Sequence, residues 1–491
     1  MALLSEVQKD YGKLKLLVNG KWVDSSSSRV EPVMNPAKGE AIAQVPYATN
    51  DEVEESVNSA QDAFETWKNL PVPTRIQYIY RLKYVIEENV EDISRITTQN
   101  HGKIIDESRG EGRRLVENIE AACAIAYTKA KGEHFDQIAA GIDSSLIREP
   151  LGVFAILGPF NFPSMAPFWF IPHALALGCT VVVKPSEICP LPLQWTLKVA
   201  EKAGLPPGVV NMVHGGREVA EALIAHPTVK GVSFVGSTAV GKQVYKLAGE
   251  HGKRAIVQAG AKNFVVVMPD ANLDTTVQAC IPSFYGNSGQ RCLSGANLVP
   301  IGDVKEDLKD KFLKVSARIR LGYGLDESAE MGPVITQKSK ERIAGYIEKG
   351  IEEGAELLLD GRHARLPEYP NGYFLGATVF DNVTTDMTIA KEEIFGPVAS
   401  IVEADSLDTA IEMINRLRYG NAACIFTSSG RSAREFRTRV KAGNIGINIG
   451  IPAPMAFFPF TGWKDSFFGV LHGQMDCVDF YTDKKVVISR W

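Results

Sequence analysis

The sequence predicts an α/β protein built on two parallel, helix-covered sheets. Short apolar β-type runs at 153–157, 180–183, 209–213 and 229–235 alternate with helical segments at 193–203 and 218–225. That alternation is the pattern of strands laid side by side through helical crossovers. A second series begins near residue 257 with Asn263-Phe-Val-Val-Val-Met268 and continues through 293–300, helices near 305–319 and 339–354, and 397–402. A chain of 491 residues also exceeds the usual size of one hydrophobic core, so each series is expected to close a domain of its own.

Ahead of the first series, residues 16–23 alternate around Asn19-Gly20, which predicts a hairpin, and 33–40 predicts a further strand and turn. From Asp51 to about Asn100 the apolar spacing of Ile79, Leu82, Val85 and Ile86 predicts two long amphipathic helices, capped at Thr49-Asn50-Asp51. Another helix is expected over 105–130. Residues 132–149 are short and polar and predict a protruding β-ribbon. The β-branched and aromatic residues of 477–487 predict a strand that pairs either with this ribbon or across to another subunit.

Composition excludes several function classes. With 45% hydrophobic residues and a net charge of -5, the chain offers no whole-molecule attraction to nucleic acid or an anionic membrane surface. No basic, apolar leader opens the sequence and no apolar run reaches ~18 residues, so neither a signal peptide nor a membrane span is expected. The seven cysteines are scattered and form no CxxC pair. They predict neither a metal site nor a disulfide framework, and they fit a reducing, cytoplasmic setting.

Five stretches bear residues suited to chemistry. Gly286-Asn-Ser-Gly289-Gln-Arg291-Cys292 places one cysteine in a glycine-flexed polar turn beside a cation, where arginine and main-chain amides can lower a thiol pKa. Cys292 is thus a nucleophile or else a small buried hydrophobe. Gly236-Ser237-Thr-Ala-Val-Gly241-Lys242-Gln243 joins a strand to a helix, so its amides could hold phosphate, or the glycines could merely start the helix. It nearly matches a Walker A loop but has Gln243 where magnesium needs Ser or Thr, which disfavours an NTPase.

Lys184-Pro-Ser-Glu187 lies just past a strand, where a carboxylate can accept from a ribose diol, although a solvated pair would look the same. Asn161, within Gly158-Pro-Phe160-Asn161-Phe-Pro163, is either an amide donor to a reacting oxygen or a turn former. Of Glu392 and Glu393, in Glu392-Glu-Ile-Phe395-Gly-Pro397, one could contact a sugar hydroxyl, and both could equally edge a strand in solvent.

Taken in order, Asn161, Lys184-Pro-Ser-Glu187, Gly236-Ser-Thr-Ala-Val-Gly241, Gly289-Gln-Arg-Cys292 and Glu393-Ile-Phe-Gly-Pro397 make the chain resemble the aldehyde dehydrogenase superfamily over nearly its full length. The resemblance implies a Rossmann-like NAD-binding domain over 1–131 and 150–256 and a catalytic domain over 257–470. It also implies an oligomerisation element of 132–149 with 471–491, and hence a homo-oligomer, tetramer or dimer. By the same resemblance Cys292 attacks the aldehyde, Asn161 and the Cys292 amide hold the oxyanion, and Phe160, Lys184, Glu187, Gly236, Ser237, Glu393 and Phe395 bind the cofactor. A carboxylate at Glu187 would repel a 2′-phosphate, which favours NAD over NADP.

One departure matters. Hydrolytic members of the superfamily carry a glutamate where this chain has Gln258, and an amide cannot take a proton from water. The subgroup that looks most similar is methylmalonate semialdehyde dehydrogenase, which releases its acyl group to coenzyme A and makes a glutamate base dispensable. Matching residues include Pro159-Phe-Asn-Phe-Pro163, Gly260-Ala-Lys-Asn263, Met268-Pro-Asp-Ala-Asn272 and Phe460-Thr-Gly462. This resemblance implies a small carboxylated semialdehyde held by Arg114 and Arg291, whose other role would be structural ion pairing. The alternative is a hydrolytic enzyme yielding a free acid.

Overall fold

The computed structural model describes residues 3–491. Its first sheet has the spatial order Lys21–Val23, Leu16–Val18, Val210–Met212, Thr180–Lys184, Val153–Leu157, Val229–Val235, Arg254–Gln258 and Phe467–Phe468. The inner strands run parallel, and the hairpin at one edge and Phe467–Phe468 at the other join antiparallel. Every residue of Val153–Leu157 and Thr180–Lys184 is buried, as expected of strands covered on both faces. Leu157 pairs with both Lys184 and Phe234. The loops that follow these strands therefore lie abreast at the carboxyl edge, where open α/β sheets bind ligands.

The second sheet has the order Glu356–Leu359, Thr378–Asp381, Val398–Ile401, Gly295–Pro300, Asn263–Val267, Ala422–Phe426 and Asn444–Ile447. Only Glu356–Leu359 is antiparallel. Residues 259–262 link the carboxyl end of Arg254–Gln258 to the amino end of Asn263–Val267. The chain thus passes directly from the ligand-binding edge of one sheet to the opposite kind of edge of the other, and the site forms between them. The first sheet extends through Gln258 and takes in Phe467–Phe468, so its strands reach past residue 256 and draw on the segment before 470.

Two expected elements differ. The 51–100 region forms three helices, Asn50–Trp67, Val72–Glu88 and Val90–His101. The second break is the single residue Asn89 (φ -113°, ψ 12°), too short to disturb the apolar spacing. At the other end, Cys477–Tyr481 is helical and the strand starts only at Thr482. Phe480 and Tyr481 pack their rings 5.2 and 4.6 Å from that of Phe154, so tertiary contact overrides β-propensity there. Thr482–Arg490 pairs along its whole length with Ile142–Pro150 of the same chain, whose other neighbour is Glu133–Ala139. Among the described residues no helix is long and apolar enough to cross a membrane.

Candidate active site

The helix Leu273–Tyr285 delivers a strained turn. Asn287, Ser288 and Gly289 have φ of 56°, 52° and 71°. For the two non-glycine residues this left-handed backbone costs of order 1–3 kcal/mol each and persists only where the surroundings impose it. They do so here. The Asn287 amide donates to Glu107 (2.6 Å) and its side chain to the carbonyls of Asn161 and Gln290 (3.2 and 3.1 Å). The Ser288 hydroxyl donates to the Gly332 carbonyl (2.8 Å). At Gly289 a β-carbon would lie 2.1 Å from the Gly396 carbonyl oxygen, which explains the glycine.

The turn presents Cys292 half-buried, its carbonyl held by the side-chain amides of Asn263 (2.9 Å) and Asn421 (2.8 Å). The residue forms part of the wall of two cavities, one of about 630 Å³ toward the first sheet and one of about 420 Å³ on the other side. Burial, reinforced by Glu393, pushes its thiol pKa up to about 12, against the opposing effect of its own amide, the Leu293 amide and Arg291. The expectation that the arginine and amides would lower it therefore holds for those groups but not for the sum, because desolvation outweighs them.

Asn161 reaches the same turn from the end of Val153–Leu157. Its Nδ2 donates to the Gln290 carbonyl at 3.0 Å. Its main-chain carbonyl accepts from Lys103 Nζ at 2.6 Å, and Lys103 pairs with Glu111 at 2.8 Å, both fully buried. The other Glu111 oxygen accepts from the amides of Ser164 (3.0 Å) and Met165 (3.1 Å). One buried ion pair thus ties down both sides of the Asn161 loop; breaking such a pair typically costs ~3–5 kcal/mol.

The larger cavity brings together Phe160, Lys184, Glu187, Gly236, Ser237, Glu393 and Phe395 with Asn161 and Cys292. Lys184 is buried and donates to the carbonyls of Pro185 (2.9 Å) and Gly215 (2.7 Å), with Glu187 at 3.4 Å. Ser237 precedes the helix Thr238–Glu250 and its side chain makes no capping bond, so the first-turn amides remain for an anion. Lys242 of the Walker-like stretch pairs instead with Asp465 at 2.8 Å and is not part of this wall. The adjacent glutamates diverge. Glu392 pairs with Arg418 at 2.6 Å, while Glu393 accepts from the Ala261 amide at 2.9 Å, and burial lifts its pKa to about 7.

The smaller cavity is lined by Phe162, Trp169 and Phe460, with Arg114 and Arg291 as its cations. Arg291 pairs with Glu107 at 2.9 Å and Arg114 with Glu117 at 2.8 Å. Both arginines therefore face the cavity while already engaged. Gln258 is buried behind this wall, its Nε2 3.3 Å from the carbonyls of Phe460 and His472. Its Oε1 has no hydrogen-bond partner among the described residues.

Sequence reasoning missed Lys103, Glu107, Glu111 and Asn421, for which no local motif exists. Lys262 and Asn263 stand out in the sequence only as part of the Gly260–Asn263 motif. Asn263 had a visible signal, since a polar residue opening an all-buried strand needs a partner.

Comparison with known proteins places the fold in a family. The model of the Aldehyde dehydrogenase family matches residues 22–487. Malonate-semialdehyde dehydrogenase 2 of Geobacillus kaustophilus is 46% identical over 479 residues, covering 97% of this chain and 99% of that one. Malonate-semialdehyde dehydrogenase of Halalkalibacterium halodurans is 46% identical over 480 residues, covering 98% of each. Among solved structures, a protein of Sinorhizobium meliloti assigned as a methylmalonate-semialdehyde dehydrogenase, complexed with NAD, superposes with a TM-score of 0.96 at 38% identity over 98% of each chain. Methylmalonate-semialdehyde dehydrogenase of Oceanimonas doudoroffii does so with a TM-score of 0.96 at 40% identity, again over 98% of each. The chain belongs to the aldehyde dehydrogenase family and is an oxidoreductase acting on aldehydes.

Proposed function

We propose that the chain carries out NAD-dependent oxidation of a small carboxylated semialdehyde, malonate or methylmalonate semialdehyde, through a thioester on Cys292 that is released to coenzyme A. The observation that carries the release step is Gln258, an amide bonded to two main-chain carbonyls where a water-activating carboxylate would be needed. The two least exposed carboxylates of the substrate cavity are committed elsewhere. Glu107 holds Arg291 and the Asn287 amide, and Glu111 holds Lys103 and two further amides.

In the first step the Cys292 thiolate adds to the aldehyde carbon. The charge that develops on oxygen is met by the Asn161 amide and the Cys292 main-chain N–H, fixed donors of the kind that stabilise such oxyanions. NAD, when bound, supplies the acceptor for the hydride that leaves the substrate carbon. The cavity suits it. A volume of about 630 Å³ ends at the uncapped helix start after Ser237, and Gly236 and Gly260 line it where a β-carbon would meet Phe234 and the Glu393 carboxylate, each at 2.5 Å. Lys184, Glu187, Ser237 and Glu393 would hold its polar groups beside Phe160 and Phe395, and the Glu187 carboxylate disfavours a 2′-phosphate. Coenzyme A then attacks the thioester as its thiolate, its proton passing to solvent; the bond from the acyl carbon to Cys292 Sγ breaks, the Cys292 thiolate leaves, and no base at position 258 is needed.

Oligomerisation belongs to the same proposal. The three-stranded ribbon exposes Phe135, Ile138, Val486 and Ile488, an apolar surface suited to another subunit. All seven cysteines are free thiols, consistent with a cytoplasmic setting. The test is product analysis. With semialdehyde, NAD and CoA, mass spectrometry should find acyl-CoA in step with NADH, and free acid in equal yield without CoA would favour the hydrolytic alternative.

A further inference from the structure

We propose that a small polar chamber behind the Cys292 turn holds one ordered water linking Lys262 to Glu393, and that Lys262 is the positioning residue for that carboxylate. The inference rests on the reading of Glu393 as a cofactor contact. The chamber has a volume of about 20 Å³, and its wall includes Lys262, Arg291, Ser294 and Glu393. A water needs roughly 10–15 Å³, so there is room for one.

Three buried atoms of those residues, Lys262 Nζ, Ser294 Oγ and Arg291 Nε, have no hydrogen-bond partner among the described residues. Lys262 is only 4% exposed and Ser294 7%. Buried polar atoms are nearly always paired, with ordered water where protein groups do not reach. The chemistry fits water specifically. Water can accept from the Lys262 ammonium and the Arg291 Nε–H while donating to the Glu393 carboxylate and the Ser294 hydroxyl. An anion would satisfy the two cations but meet the carboxylate.

Glu393 forms part of the wall of both this chamber and the cofactor cavity. The groups acting on it are Ala261, Arg342, Lys262 and Arg418, with Cys292 on the cleft side and Tyr419 next to Arg418. Arg342 is spent on the Ile394 carbonyl (2.7 Å) and Arg418 on Glu392 (2.6 Å), so of these three cations Lys262 alone has no partner among the described residues. Burial brings the Lys262 pKa down to about 7 and the Glu393 pKa up to about 7, and a bridging water would relax both.

The experiment is calorimetric titration of the full-length protein with NAD, for the unmodified protein, K262M, E393Q and the double variant. E393Q and K262M should each weaken binding about 10-fold, and the double variant should be no weaker than E393Q, because the two act through one contact. Losses that multiply would overturn the link. NAD affinity unchanged in E393Q would instead overturn Glu393 as a cofactor contact. In K262M the acid fall-off of NAD affinity should move to higher pH, since Glu393 without its cation keeps its proton longer; an unmoved fall-off counts against the link. S294A removes one hydroxyl and should weaken binding in the same direction by less, which keeps the test available should K262M fold poorly. High-resolution crystals of the unmodified protein should show one water within hydrogen-bond distance of Lys262 Nζ and Glu393. A halide there, or a direct Lys262–Glu393 ion pair, would overturn the bridge.

Discussion

Asn161 Nδ2 lies 3.0 Å from the carbonyl oxygen of Gln290, two residues ahead of Cys292. The amide proposed to receive the oxyanion is thus held on the very turn that carries the nucleophile, and the Lys103–Glu111 pair fixes its backbone from behind. Asn161→Ala should lower turnover about 10²- to 10³-fold, the scale seen when one such donor is removed. NAD affinity should change little. Steady-state rates combined with calorimetry check this, and full turnover in the variant would return Asn161 to a turn-forming role.

Cys292 makes a pH-dependent prediction. Burial and Glu393 hold its thiol pKa up to about 12 in the NAD-free chain, so the reactive thiolate is scarce at neutral pH. Alkylation by iodoacetamide should therefore speed up by about tenfold per pH unit between pH 7 and 9, because the ionised fraction of a thiol well below its pKa grows in that proportion. Cys292→Ala should abolish both this labelling phase and aldehyde oxidation. A labelling rate that is already flat at pH 7 would show a thiolate stabilised by contacts stronger than those seen here.

The two arginines separate by their pairing. Arg291 shares Glu107 with the Asn287 amide in a largely buried setting, whereas the Arg114–Glu117 pair is more open. Arg114→Leu and Arg291→Leu should each cut the rate on malonate semialdehyde by about 10- to 100-fold, the worth of a charge-assisted hydrogen bond, while sparing propanal. Arg291→Leu should in addition lower Tm, because Glu107 loses its cation. Equal losses on both aldehydes would mark the arginines as structural.

The legible parts of the fold were those whose cause is local. Val153–Leu157 and Thr180–Lys184 are buried on both faces, and Val153–Leu157 and the valines 181–183 read as solid apolar runs. By contrast, Ala422–Phe426 and Asn444–Ile447 are short strands in which small or polar residues interrupt the apolar ones, and their place is set by pairing with Asn263–Val267 and with each other. The break at Asn89 preserved helical phase and left no trace in the apolar spacing.

The site divides in the same way. Gly289 and Cys292 announce themselves because a close approach demands glycine at Gly289 and a single turn carries both. Lys103, Glu111 and Asn421 come from distant segments, and only tertiary packing brings them to Asn161 and Cys292. The direction of the Cys292 pKa was illegible for a related reason. Arginine and amides are visible in sequence, but the burial that outweighs them is not.

The central claim is that Gln258 leaves the thioester waiting for a thiol. Rapid-mixing measurement of NADH from semialdehyde and NAD, with and without CoA, tests it most directly. Without CoA a burst of at most about one NADH per active site should give way to slow turnover, since a missing general base typically slows water attack ~10²- to 10⁴-fold. Addition of CoA should accelerate the slow phase and yield acyl-CoA. Fast, linear NADH production without CoA, ending in free acid, would contradict the claim and show that another group activates water.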